Sequence, residues 1–198
     1  MMLTEETPVP SAALPVEEMK DHLRMGSGFA DDAMQDGLIE TYLRAAMAAI
    51  EARIGKMLFQ RRFLWVLDAW RDAEQALPVA PVAGIASLTL VDAAGAETIV
   101  PPASYRLVKD THRPRLAGRG TALPTIPTDG AVKVVFDAGF GAAWTDIPVD
   151  LRQAVLLLAG EYYEHRHDDG AQTAGLPFGV VTLIERWRTV RILVGGRT

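Results

Sequence analysis

The sequence predicts an α+β fold that is mainly helical, with a small antiparallel β unit inserted between the helices. Two observations carry that reading. Apolar residues recur in steps of three and four over residues 32–58, and the same period returns over 148–166 and 178–192. Between about 60 and 142 that period gives way to short β-branched and aromatic runs, punctuated by Pro and Gly.

Residues 1–15 are rich in Pro, Ala and Thr without a period, and read as an extended arm of the kind that stays disordered until tied down. Residues 16–198 then form a single domain, with the β insertion at about 60–142. Pro15 opens a short helix, VEEMKDHLRM, whose Glu17 and Glu18 sit in the first turn, where they complement the helix dipole. Asp31 or Asp32 can cap the long helix 32–58. Its apolar face runs through Ile39, Leu43, Met47, Ile50 and Ile54, and Ala45, Ala46, Ala48 and Ala49 add helix propensity.

After that helix, Phe63–Trp70 reads as a strand and LPVAPVAG as a proline-punctuated connection. The run ASLTLVDAAGAETIV turns at Ala93–Gly95, and SYRLVKD and GAVKVVFDAGF supply further strands. HRPRLAGRGTALPTIPTDG holds so much Pro and Gly that it reads as a long loop. Asp146 and Pro148 open the helix 148–166, whose wide apolar face predicts burial. Pro177 starts the last helix, 178–192, with Val180, Val181, Ile184 and Trp187 on one side.

Composition narrows the function classes. With 198 residues the chain can bury a core without staples, and it has no cysteine, so disulfides, thiol nucleophiles and thiolate zinc sites are excluded. No apolar run reaches the roughly 20 residues of a membrane span. The acidic start, MMLTEETPVPSAALP, does not read as a signal peptide. A net charge of −5 argues against a protein whose main task is gripping DNA. Charge is nevertheless polarised. Residues 1–40 hold nine acidic side chains against two basic ones, whereas 176–198 hold four arginines against Glu185. Opposite poles suit head-to-tail contacts or an acidic partner surface, although taken alone a solvated charge distribution is the plainer reading.

Three segments compete as sites. His165, His167, Asp168 and Asp169 in YYEHRHDDG have the chemistry of a metal-dependent hydrolase. Histidines two apart on a helix point roughly 200° apart, however, whereas chelation from a helix needs a spacing of four. The same residues make better sense as a helix end followed by a turn. Arg113, Arg115 and Arg119 form a basic loop able to touch phosphates, but no aromatics interleave with them. The terminal ERWRTVRILVGGRT carries Trp and Arg, the types enriched at interface hot spots, ahead of an apolar tail. No catalytic, metal or cofactor-binding residue is predicted.

The order of these motifs resembles the tailed-phage head–tail connector (adaptor) proteins. The resemblance rests on PVEEMKDHLRM, the helix with AAMAAIEARIGKML, LPVAPVAGIASLTLVDAAG, VVFDAGFG, IPVDLRQAVLLLAGEYYEHR and ERWRTVR, from about Val16 to Arg191. The chain is most similar to adaptors of siphophage-like particles and alphaproteobacterial gene transfer agents. That resemblance implies a non-enzymatic protein assembled in the bacterial cytoplasm into a ring of about twelve copies under a portal. Its partners would be the portal ring, a stopper or tail-side connector, and itself, with DNA passing through the lumen and no membrane contact. The portal-docking residues it implies are Arg186, Trp187, Arg188, Arg191, Ile192, Leu193, Val194 and Arg197. Glu164 and Arg166 are then expected to pair with a neighbouring copy rather than to bind a substrate.

Overall fold

Two hydrophobic cores organise the chain, one between helices and one between strands. The computed structural model describes residues 2–24, 33–120, 122–165 and 175–188. In chain order the elements are β1 (Met2–Glu5), α1 (Val16–His22), α2 (Ala33–Ile54), β2 (Arg61–Leu67), β3 (Glu74–Ala76) and β4 (Val82–Val91). There follow β5 (Glu97–Ile99), β6 (Tyr105–Val108), β7 (Arg115–Gly118), β8 (Ala131–Ala138), α3 (Val149–Glu164) and α4 (Phe178–Ile184). None of the described helices is long and apolar enough to cross a membrane.

The helical core forms where α2 turns Leu43, Ile50 and Ile54 onto Leu151, Val155 and Leu158 of α3. Met19 from α1 and Val180 and Ile184 from α4 close its sides. Each such side chain contributes about 1.5–3 kcal/mol over leaving it in water. The long helix ends at Ile54, short of the predicted residue 58. Gly55 adopts a left-handed φ of 68°, and its N–H bonds the Glu51 carbonyl at 2.8 Å, as a glycine just past a helix end does. Lys56 and Phe59 then make bridges to Ala80 and Gly141, so this stretch belongs with the strands.

The expectation of a mainly helical fold is overturned by the second core. A five-stranded antiparallel sheet in the order β1-β2-β8-β4-β5 accompanies a three-stranded one in the order β3-β7-β6. Val132, Val134, Phe136 and Ala138 alternate inward along β8 and pack with Trp65 and Leu88. The β part therefore sustains its own interior.

Two strands come from places where the local pattern is silent. β1 lies in the N-terminal arm and pairs antiparallel with β2, Leu3 opposite Trp65 and Glu5 opposite Phe63. Val9 and Leu14 of the same arm are buried in the helical core. The predicted long loop contains β7, held between β3 and β6. At the C-terminus α4 stops at Ile184, tightens into a 3-10 turn over Glu185–Trp187, and leaves helical geometry at Arg188 (φ −69°, ψ 136°). The expected continuous helix 178–192 is thus broken, because Trp187 turns in to bond α3; positions 189–192 lie outside the described residues.

Candidate functional site

The turn that ends α4 is held by one carboxylate. Asp150, in the first turn of α3, accepts the Trp187 indole N–H at 2.7 Å and the Arg186 Nε at 2.7 Å through the same oxygen, Oδ2. The helix dipole favours an acid at that position. The Trp187 ring meets Phe140 edge-on at 5.3 Å and lies nearly parallel to His112 at 6.4 Å. The Arg186 guanidinium covers it from 4.9 Å. Desolvation pushes the His112 imidazole below its ordinary pKa, the nearby Lys56 charge adds to this, and Asp110 opposes it. The ring beside Trp187 is therefore biased toward its neutral form.

Trp187 is accordingly half-buried against its own fold. It holds the Glu185–Trp187 turn against α3. Arg186 has 69% of its side chain exposed, so its ion pair with Asp150 adds little stability and its planar head remains open to a partner. Arg188 donates through one nitrogen, Nη1, to both oxygens of the Glu185 carboxylate at 3.1 Å, on the surface. Arg191, Ile192, Leu193, Val194 and Arg197 lie outside the described residues.

The other predicted sites come apart on inspection. Glu164, expected at a contact between copies, is exposed as the last residue of α3; Arg166, expected there too, lies outside the described residues, as do His167, Asp168 and Asp169. His165 caps α3, its backbone N–H bonding the Glu161 carbonyl at 3.1 Å with the ring Nδ1 at the same distance from that oxygen. Among the described residues no group of three His, Cys, Asp or Glu side chains could hold a metal. The expected basic loop is partly strand and partly neutralised. Arg115 in β7 pairs with Glu74 at 2.6 Å, and Arg119 donates to the Tyr105 carbonyl at 3.2 Å.

Sequence reasoning missed Asp150, Phe140 and His112, which come to Trp187 from three distant segments. It also missed a second joint, this one between a helix and two strands. Arg61 on β2 reaches Glu51 of α2 at 2.5 Å and Glu5 of β1 at 2.8 Å. Glu51 also accepts the Leu58 N–H at 2.8 Å. Burial pushes the Glu51 carboxyl above the ordinary range, outweighing the pull of Arg61. One signal did exist. Met47, Glu51 and Ile54 follow the helix core period, so an acid stood at an inward position.

No carboxylate pair, metal cluster or nucleophile–base set emerges among these residues, and what the two joints do is fix surfaces. Comparison with known proteins gives those surfaces a setting. No protein-family model matches the sequence, and no curated protein does. Solved structures match over almost their entire length. A chain in the neck of an empty GTA particle computed with C6 symmetry is 57% identical, with 98% of this chain and 99% of that one covered and a TM-score of 0.89. A chain in the virion of a native gene transfer agent particle is 57% identical over the same shares, with a TM-score of 0.87. One in the neck of a native GTA particle computed with C12 symmetry is 55% identical over the same shares, with a TM-score of 0.84. The class is a structural component of a virus-like particle. The chain belongs to the family of gene transfer agent neck proteins.

Proposed function

We propose that the protein is the head–tail adaptor of such a particle, a non-enzymatic ring of about twelve copies between a portal and the tail-side connector. The observation that supports it most is the near-full-length likeness to neck chains, one of them in a particle treated with twelvefold symmetry. A sixfold treatment is compatible with the same ring, because sixfold rotation is contained in twelvefold. Assembly takes place in the bacterial cytoplasm. DNA passes through the lumen, and the acidic balance of residues 1–40 gives it little to adhere to.

The portal contact in this reading is the C-terminal segment. Trp187, latched to Asp150, sets its origin, and Arg186 and Arg188 present guanidinium groups beside it. Arg191, Ile192, Leu193, Val194 and Arg197 supply an apolar strip with further cations, suited to a groove on a larger ring. Glu164 and Arg166 contribute to contacts between copies. Deleting residues 189–198 tests the docking. The shortened chain should keep its melting temperature within about 1 °C, since no described core residue is removed, yet fail to co-purify with portal-bearing heads. Normal incorporation into particles by that truncation overturns the docking role.

A further inference from the structure

A ring built by rotation needs two unlike surfaces on each copy, one meeting the other around the circle. The five-stranded sheet has two such surfaces, its edges. β1 forms one and β5 the other, and every residue of both strands is exposed.

Hydrogen-bond alternation shows which backbone groups point outward. Glu6 N–H bonds the Arg62 carbonyl at 2.8 Å, so in the register of β1 on β2 the groups of Thr4 and Met2 also face β2. Those of Leu3 and Glu5 face away from the sheet. At the other edge, Val100 bonds the Leu88 carbonyl and Asp92 bonds that of Ala96, which turns Thr98 toward β4. Glu97 and Ile99 thus present their N–H and C=O groups outward. Each edge offers a short ladder of two residues.

The side chains are compatible with closure. Ile99 is 73% exposed and Met2 58%, unusual apolar exposure for an edge strand that is meant to stay solitary. The acids at the two edges are already neutralised, Glu5 by Arg61 at 2.8 Å and Glu97 by Lys133 at 2.6 Å. Two acidic edges therefore meet without bare like charges. Every neighbour in the sheet is antiparallel, so β1 and β5, four steps apart, run in the same direction. Rotation about a ring axis preserves that direction approximately.

We propose that adjacent copies join edge to edge, β5 of one against β1 of the next in parallel pairing, continuing the sheet from copy to copy by strand addition. The proposal rests on the ring reading and assigns it an interface. Pairing of like edges, β1 with β1 or β5 with β5, would instead be two-fold and antiparallel, and would not close a cyclic ring.

Proline at the outward positions is the test, because it removes an N–H that the fold itself does not use. Leu3→Pro and Ile99→Pro in the full chain should each abolish rings, read by native mass spectrometry and by microscopy of particle necks. Amide exchange gives a second reading that needs no variant. The N–H groups of Leu3, Glu5, Glu97 and Ile99 should exchange about tenfold or more slowly in the assembled wild-type ring than in the free chain. Rings that form normally with both prolines present, or edge amides that exchange equally fast in ring and free chain, overturn the edge pairing while leaving the ring intact. A wild-type chain that forms no ring even in particles removes the ring reading, and this interface with it.

Discussion

Two joints, one between a helix and two strands and one among helices and loops, make an instructive pair. At one, Arg61 is enclosed with Glu51 and ties α2, β1 and β2 through charge, with little access to water. At the other, Trp187 ties α4 to α3 and to the loops holding Phe140 and His112 through ring contacts and one hydrogen bond, with Arg186 open to solvent. Removing one partner of an enclosed ion pair strands the other, whereas loosening a half-exposed ring forfeits only contacts. The first joint is suited to holding the fold in one state; the second, under the docking role proposed above, is the one that would present the terminal segment.

Breaking the first joint should have the largest effect. Arg61→Ala leaves Glu51 buried without its cation and should cost about 3 kcal/mol or more, measured by urea unfolding. The double variant Arg61→Met with Glu51→Gln should recover most of that loss, since the neutral side chain at position 51 still accepts the Leu58 N–H and only the partly exposed Glu5 loses its cation. A cost under about 1 kcal/mol for Arg61→Ala would show the joint to be solvated, contrary to this reading.

The second joint should respond less in stability and more in assembly. Trp187→Ala should cost about 2 kcal/mol, below the figure for a wholly enclosed tryptophan, because the ring is only half-buried. Asp150→Asn should cost less still, about 1 kcal/mol, since one acceptor oxygen remains. Both should lower incorporation into particles further than their stability loss explains, because the terminal segment loses its fixed origin. Unchanged incorporation at reduced stability would reduce Trp187 to ordinary packing.

How far the sequence could be read follows the range of the interactions. α2 and α3 are visible because their inward residues recur within one element, and β8 because Val132, Val134 and Phe136 alternate. The end of α2 went unread although Gly55 marks it, since the apolar period runs on through Met57 and Leu58 into residues that serve the strands. β1 and β7 are four residues each and exist through partners far along the chain. The site divides in the same way. Trp187 and Arg186 announce themselves by type, but Asp150 is 37 residues away and looks like any acid in a first helical turn. Nothing local pairs the two.

The smallest effect concerns protons at the first joint. The Glu51 carboxyl is raised above its ordinary value of 4.5, first by burial, with Arg61 pulling the other way. The native state therefore holds this proton more tightly than the unfolded chain does. Stability from this group is fully present below the unfolded pKa and is lost as pH rises through the native one. Glu51→Gln keeps an acceptor for the Leu58 N–H but cannot ionise. The difference in urea midpoint between wild type and Glu51→Gln should consequently shift against the wild type as pH climbs from the acid range to neutrality. A difference that moves in the wild type's favour over that range would mean that Arg61 outweighs burial, and that the enclosed pair stabilises the fold through its charge.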